Sequence, residues 1–211
     1  MTIPPDLDRE IRAVCSPVGL AGWCTPEKGL DIAAHVLEFR PQVCVEIGIY
    51  GGRSLLAASF ALQTLRSGMA YGIDPWSVKC ALEGMDAHDS DDMKNIDWWT
   101  HKANLRTVQM RLADEIEARK LYDYCTLMQG RAELIFGRFQ TGEIDFLHID
   151  GNHTQLVSCR DVDLWLPRVK SGGIVFFDDT DWQSTTTAQR MMLRTSDEVA
   201  DRKTYKIYRK R

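Results

Sequence analysis

Short apolar runs bounded by turn residues recur along the chain: "VCVEI" (43–47), "AYGID" (70–74), "CTLMQ" (125–129), "IDFLHI" (144–149) and "GIVFF" (173–177). Each has the length of a strand, and near-continuous apolar character is that of strands buried on both faces. Helical patterns separate them. "GGRSLLAASFALQTL" follows the first run, and Leu156, Cys159, Val162, Leu166 and Val169 recur at helical spacing between the fourth and fifth. Strands alternating with crossover helices predict an α/β fold, a parallel sheet covered by helices. "TYKIY" (204–208), after the helix-like "TTTAQRMMLR", reads as a last strand, and "SGG" (171–173) as the tight turn into "GIVFF".

Two segments stand outside this alternation. Residues 1–40 precede the first strand and read as one or two helices capping one side of the sheet, the second being "PEKGLDIAAHVLEF" with Pro26 near its start. Residues 77–99, "SVKCALEGMDAHDSDDMKNIDWW", are an acidic insertion after the second strand. Its length fits a mobile flap over a site or an ordinary surface insertion. With 211 residues, 44% hydrophobic and 27% charged, residues 1–211 are expected to form one domain around one substantial core.

The first strand carries Glu46 near its end and runs into "VEIGIYGGRS" (45–54), where Gly48, Gly51 and Gly52 precede a helix. Glycines there let the backbone approach a ligand, and the helix start presents free N–H groups, which implies a nucleotide-like ligand. Many strand-to-helix turns carry glycine for steric reasons alone. The next strand ends on Asp74, where an acid can hydrogen-bond ribose hydroxyls or cap a turn. The GxGxxG fingerprint of dehydrogenases is missing.

A second constellation begins in "FLHIDGNHT" (146–154), an apolar run that stops on Asp150 and places His153 three residues later. Asp178 and Asp179 close "GIVFF" in the same way. On neighbouring strands these ends would lie about 5 Å apart. Like charges that close disfavour simultaneous ionisation, so either some are protonated or a cation sits between them. Oxygen-only ligands favour Mg²⁺ or Ca²⁺ over zinc. His153 would then face a metal-bound hydroxyl as general base, or else cap the following helix. His148, two residues before Asp150, reads as a satisfied buried histidine. Trp23 and Trp182 can wall a substrate pocket or belong to the core, and Trp98 and Trp99 are candidates for flap contacts with substrate.

The spacing acid-x-Gly-x-Tyr-x-Gly-x-Ser, seen as Glu46, Gly48, Tyr50, Gly52 and Ser54, resembles the S-adenosyl-L-methionine motif of class I O-methyltransferases of the catechol and caffeoyl-CoA type. With "GW" (22–23), "GIDPW", "IDFLHIDGNH" and "GGIVFFDD", the chain is similar to a bacterial group that includes macrocin O-methyltransferase and cephalosporin hydroxylase-like proteins, over about residues 20 to 182. The resemblance implies a Rossmann-like class I methyltransferase fold, a mostly parallel seven-stranded sheet with helices on both faces. S-adenosyl-L-methionine would lie over the carboxyl ends of strands one to four. Glu46, Gly48, Tyr50 and Ser54 would surround its methionine part, Asp74 would hold the ribose, and Gly130, Arg131 and Ala132 would border the adenine. Gly52 and Asp150 are counted with the cofactor-binding residues, and Mg²⁺ is implied at Asp150, Asp178 and Asp179. Tyr50 stands where many class I enzymes have the second glycine of GxGxG, in agreement with the O-methyltransferase branch.

The implied activity is Mg²⁺-dependent methylation of a hydroxyl on a small molecule, a sugar or natural product, with His153 as catalytic base. Two readings stay open beside it: a metal-independent methyltransferase in which Asp178 and Asp179 only orient substrate, and a non-catalytic cofactor-binding protein of the same fold. Composition narrows the partners. A net charge of −4 and the lack of an Asn/Asp-Pro-Pro-Tyr motif argue against nucleic acid, and the basic end "KTYKIYRKR" reads as a solvated strand end. No apolar run approaches the roughly 20 residues of a membrane span, and "MTIPPDLDREIR" lacks the order of a signal peptide, so a cytoplasmic protein without a membrane partner is expected. Six scattered cysteines without a CxxC pair read as reduced thiols. The expected partner is a small-molecule substrate, with a homo-oligomer left open.

Overall fold

The computed structural model describes residues 2–211. Its strands are β1 (Val43–Ile47), β2 (Met69–Asp74), β3 (Cys125–Gln129), β4 (Ile144–Ile149), β5 (Val169–Asp178), β6 (Ser196–Asp201) and β7 (Tyr205–Lys210). They form one sheet in the order β3-β2-β1-β4-β5-β7-β6. β1 to β5 are mutually parallel, and β7 runs antiparallel between β5 and β6. From β1 the chain moves outward to β2 and β3, then returns to the other side of β1 with β4. Such a reversal of strand order opens a crevice at the carboxyl ends of the two central strands, where α/β sheets bind ligands.

The register decides what meets at that crevice. Glu46 pairs with Gly72 on one side and His148 on the other, and His148 pairs with Phe176. Ile149 pairs with Phe177, so Asp150 and Asp178 are the next positions of two adjacent strands. The Asp150 N–H donates to the Ile47 carbonyl at 2.9 Å, continuing the ladder past the strand end.

The helices are α1 (Pro5–Val14), α2 (Pro26–Phe39), α3 (Arg53–Leu65), α4 (Val78–Ala81), α5 (Ser90–His101), α6 (Leu105–Ala118), α7 (Ala132–Ile135), α8 (Gln155–Trp165) and α9 (Thr186–Met192). Ile11, Ile32, Val36, Leu56 and Leu112 from α1, α2, α3 and α6 pack with Cys44, Phe146 and Phe176 on one sheet face. Val162, Trp165 and Met192 from α8 and α9 pack with Val45, Leu147 and Phe177 on the other. Side chains alternate between faces along a strand, so Glu46, His148 and Asp178 share the face of Cys44, Phe146 and Phe176, toward α2 and α3. α2 is begun by Thr25, whose hydroxyl accepts the Lys28 N–H at 3.2 Å, with Pro26 in the first turn.

Two stretches differ from the sequence pattern. The apolar stripe from Leu156 to Val169 is not one helix: α8 ends at Trp165, a short 3-10 turn containing Pro167 follows, and Val169 opens β5. Proline cannot continue a helix, and the strand then runs through "SGG", where Gly172 takes φ 82°. β6, "SDEVAD", was not legible as a strand because its side chains are mostly polar and exposed. It is an edge strand, and exposed acids suit an edge that must not pair with another chain. No helix among the described residues is long and apolar enough to cross a membrane.

Asp31 on α2 ties this helix to the β6–β7 hairpin. Its Oδ2 accepts from Arg202 Nε at 3.0 Å and from the Tyr205 hydroxyl at 2.8 Å, and His35 Nδ1 lies 3.3 Å from Oδ1. Burial disfavours the charge, yet these three partners hold the carboxyl well below its usual range. Replacing Asp31 with Asn should destabilise the protein at neutral pH by about 1–2 kcal/mol. A lowered folded-state pKa stabilises fully only above the unfolded value, so the difference should shrink as pH falls below about 4. Urea midpoints of both proteins at neutral pH and near pH 3 check this, and an unchanged gap would leave Asp31 a purely steric role.

Candidate active site

A cavity of about 630 Å³ opens at the carboxyl ends of β1, β2 and β4, within the size range of small-molecule sites. Asp74, Arg131 and Ala132 line one end, and Asp150, His153 and Asp179 line another. A second cavity of about 470 Å³ shares Gly48, Tyr50, Asp150 and Asp179 with it and reaches Lys28, Ser54 and Asp178.

The turn after β1 is shaped by close backbone approach. At Gly48, φ is 81°, and a Cβ there would stand 2.2 Å from the Asp150 carbonyl oxygen. Only glycine lets the ends of β1 and β4 touch. Tyr50 takes φ 44°, the left-handed region that glycine favours. Its N–H donates to Asp74 Oδ2 at 2.8 Å, and its carbonyl accepts from the Trp76 indole N–H at 2.9 Å. The Trp76 N–H in turn donates to Asp74 Oδ1 at 2.6 Å. Asp74 therefore organises the turn, and each of its oxygens keeps accepting capacity for a ligand. Burial pushes its carboxyl up, against these two N–H donors.

The remaining residues of the motif divide. Gly52 begins α3 at φ 80°, and it lines the second cavity with Ser54. Glu46 lies beneath the site: it is 4% exposed, accepts from the Ser54 hydroxyl, faces His148 Nδ1 at 3.4 Å and lines neither cavity. Arg131 and Ala132 stand in the wall of the larger cavity, and Gly130 does not.

The three aspartates are adjacent but do different things. The Lys28 ammonium donates to Asp178 Oδ2 and lies 3.3 Å from Asp150 Oδ2. Burial disfavours charge on Asp178, yet Lys28 and His148 hold its carboxyl well below the usual range. Asp150 is pushed up by burial and by Asp178 beside it. Asp179, at φ 49°, turns the other way, with Oδ2 2.5 Å from His153 Nε2. His153 Nε2 is also 4.0 Å from Asp150 Oδ1, and its ring meets Trp182 edge to face at 5.4 Å. Burial disfavours the imidazolium of His153, but Asp179 and Asp150 outweigh it and raise the pKa.

His148 is buried as expected but is not satisfied by hydrogen bonds, since neither ring nitrogen has a partner of hydrogen-bonding geometry. Its contacts are charge contacts, 3.4 Å to Glu46 and 3.4 Å to Asp178. Although burial opposes it, the Glu46 and Asp178 carboxylates raise the pKa to about 9.

Asp150, Asp178 and Asp179 are not among the groups of described residues whose ligand atoms lie within 4.8 Å of one another, and the Lys28 ammonium occupies Asp178 Oδ2. Among the described residues two other groups bring ligand atoms within 4.8 Å of one another: Asp150, His153 and Asp179, and Glu46, His148 and Asp150. The first faces the larger cavity, and it contains an imidazole in place of the all-oxygen set read from sequence. Lys28, Trp76 and Asn152 were not singled out in the sequence, although 28, 32 and 36 follow the helical spacing of α2's buried face.

Asn152 explains how the insertion is held. Its Nδ2 donates to the carbonyls of Cys80, Ala81 and Glu83 at 3.2, 2.9 and 2.9 Å, and the Thr154 hydroxyl donates to Glu83 at 3.0 Å. The Glu83 carboxylate takes Arg160 at 2.7 Å and Arg131 at 2.5 Å. The first half of the insertion is thus fastened to the loop that carries Asp150 and His153. The second half, α5, brings Trp98 and Trp99 against Trp23 and Tyr50, with ring centroids 5.0 Å apart for Trp23 and Trp98 and 5.6 Å for Tyr50 and Trp99. These four rings and Trp182 line the larger cavity. Replacing Asn152 with Ala should release residues 77–89. Limited proteolysis there should become about 5- to 30-fold faster, the effect of 1–2 kcal/mol of local stability. An unchanged cleavage rate would mean that Glu83 alone holds the segment.

A family model described as a methyltransferase domain matches residues 45–180, from the glycine turn through Asp178 and Asp179. Among solved structures, the chain is similar to the O-methyltransferase TomG from Streptomyces achromogenes in complex with SAM, at 15% identity over 99% of this chain and 89% of that one, TM-score 0.59. It is similar to an O-methyltransferase from Bacillus cereus in complex with SAH, at 15% identity over 100% and 93%, TM-score 0.56. It is also similar to the SAH-bound methyltransferase PaMTH1 from Podospora anserina, at 14% identity over 99% and 89%, TM-score 0.61. At these identities the likeness is one of fold.

Proposed function

The chain belongs to the methyltransferase domain family, and from that premise we propose that it is an S-adenosyl-L-methionine-dependent O-methyltransferase acting on a hydroxyl of a small molecule. Residues 1–211 act in this reading as one methyltransferase domain. The observation that carries it is the pairing of His153 with Asp179 in the wall of the cavity that Asp74, Arg131 and Ala132 line at another point.

Asp74 would hold the ribose of the cofactor, Arg131 and Ala132 would border its adenine, and Gly48 and Tyr50 would face its methionine part. Asp179 Oδ2 stands 2.5 Å from His153 Nε2, and a proton on Nε2 would leave Nδ1 as the basic nitrogen. Nδ1 takes the hydroxyl proton as the acceptor oxygen attacks the methyl carbon. When bound, S-adenosyl-L-methionine would supply its sulfonium methyl: the O–CH₃ bond would form as the S–CH₃ bond breaks, leaving a neutral thioether and the proton on Nδ1. The aromatic rings that line the cavity support an acceptor with a ring face, a sugar or a cyclic natural product.

The spacing of Asp150, His153 and Asp179 favours a second reading. Those three residues would hold a divalent ion, Mg²⁺ or another, which when bound supplies Lewis-acid activation of the hydroxyl. His153 would then be a ligand and not a base. Activity that survives EDTA supports the base, and loss in EDTA with recovery in Mg²⁺ supports the ion.

Calorimetry should detect S-adenosyl-L-methionine binding that Asp74→Ala weakens by about 1–3 kcal/mol, the scale of a lost hydrogen bond to a charged group. Binding of neither this molecule nor its demethylated product would end the proposal. Turnover is then followed as demethylated cofactor released over a panel of hydroxylated small molecules. His153→Ala should lower kcat by about 10² to 10⁴ while leaving cofactor affinity nearly unchanged. Thr154, not His153, occupies the N-cap position of α8, so a capping role for His153 has little structural support. A variant that is less stable but turns over normally would remove His153 from the chemistry.

A further inference from the structure

Lys28 is the only lysine or arginine among the buried residues described. It lies in the first turn of α2, on the face that also buries Gly29, Ile32, Ala33 and Val36. The Thr25 cap fixes its backbone, and the side chain reaches across the wall of the second cavity. Its ammonium donates to Asp178, stands 3.3 Å from Asp150 Oδ2 and lies 5.6 Å from the centre of the Tyr205 ring. Taking an ammonium out of water is expensive, and packed apolar residues of similar volume often serve stability as well or better. A charge kept at such a position has some other use.

The surroundings say which. Asp178 and Asp150 present their Oδ2 atoms to the ammonium from adjacent strand ends, while Asp150 Oδ1 faces His153. We infer that Lys28 is a built-in cation of this site: its ammonium stands between Asp150 and Asp178 where a divalent ion would otherwise bridge them, and it fixes Asp150 with one oxygen inward and the other toward His153. Lys28 is therefore a positioning residue, acting on the acceptor side through Asp150. The inference rests on the methyl-transfer reading for its catalytic meaning and on the carboxylate geometry alone for the exclusion of metal. Lys28 lies outside residues 45–180, so nothing in the family match assigns it a role.

The test uses Mn²⁺ binding to the full chain, followed by electron paramagnetic resonance, on wild type, Lys28→Met and the double variant Lys28→Met/Asp178→Asn. The double variant should bind Mn²⁺ no more weakly than wild type, because Asp178 is not available to metal in the wild type. Lys28→Met should gain affinity by about tenfold or more, since two carboxylates are freed for a hard cation. The double variant, in which only Asp150 is freed, should keep less than that gain. A merely structural lysine would not produce this pattern. Weaker Mn²⁺ binding in the double variant than in wild type would overturn the inference, as would a folded Lys28→Met with no added affinity. Should Lys28→Met fail to fold, Lys28→Gln, whose neutral amide can still donate to Asp178, takes its place with the same two outcomes, gained affinity or none. Cofactor affinity on the same samples keeps the two ideas apart: a wild type that does not bind S-adenosyl-L-methionine refutes the methyltransferase proposal, while Mn²⁺ still judges Lys28.

Discussion

Carboxylates at the inner edge of an apolar sheet must find partners, and that electrostatic constraint organises everything around the crevice. Glu46 and Asp178 are nearly inaccessible to water, and Asp150 beside them lines both cavities. Removing one partner from a buried ion pair is far more damaging than never burying the pair, so the partners are structurally obligatory. The Ser54 hydroxyl from α3 and His148 from β4 serve Glu46, and Lys28 from α2 serves Asp178. The first turns of α2 and α3 are thus held over the sheet by charge and hydrogen bonding as well as by the apolar contacts behind them.

The same constraint separates what was legible in the sequence from what was not. Buried strands write themselves as apolar runs, and four of the five parallel strands begin within a residue of the run that announces them. β6 is polar because an edge strand has one neighbour and solvent, and β5 begins earlier than "GIVFF" because Pro167 stops the helix before the apolar stripe stops. Asp150, Asp178 and Asp179 were recognisable as a set from their positions at strand ends. Their division between Lys28 and His153 was not, since it depends on a residue more than a hundred positions away in the chain and on a left-handed backbone at Asp179. A lysine in step with Ile32 and Val36 was the one local sign, and a charge on an apolar helical face is easily taken for a side chain that reaches back to water.

Tyr50 shows the reverse case, where a departure from a glycine pattern leaves the backbone geometry intact. A non-glycine residue in the left-handed region is strained by an amount of order 1–3 kcal/mol unless its surroundings compensate. Here the N–H and C=O of Tyr50 are both satisfied, by Asp74 and by the Trp76 indole, and its ring stacks on Trp23 at 5.2 Å. "GIDPW" and "IGIY" are therefore one structural unit read from two strands. The tyrosine side chain adds something glycine cannot: a platform on which Trp23, Trp98 and Trp99 assemble over the cavity mouth.

Asp150 is where these parts meet. Its backbone carbonyl touches Gly48, its N–H extends the β1–β4 ladder, one carboxylate oxygen faces Lys28 and the other faces His153. A group held at four points has little freedom to follow a ligand, so the ligand must conform to it. The neighbouring loop is equally constrained, because Asn152 and Thr154 tie it to the insertion that carries the tryptophans. The insertion and His153 are thus joined through hydrogen bonds of Asn152 and Thr154. The cavity wall built this way sets the aromatic rings of Trp23, Tyr50, Trp98, Trp99 and Trp182 beside the His153 imidazole, which Trp182 meets edge to face and Asp179 faces at 2.5 Å.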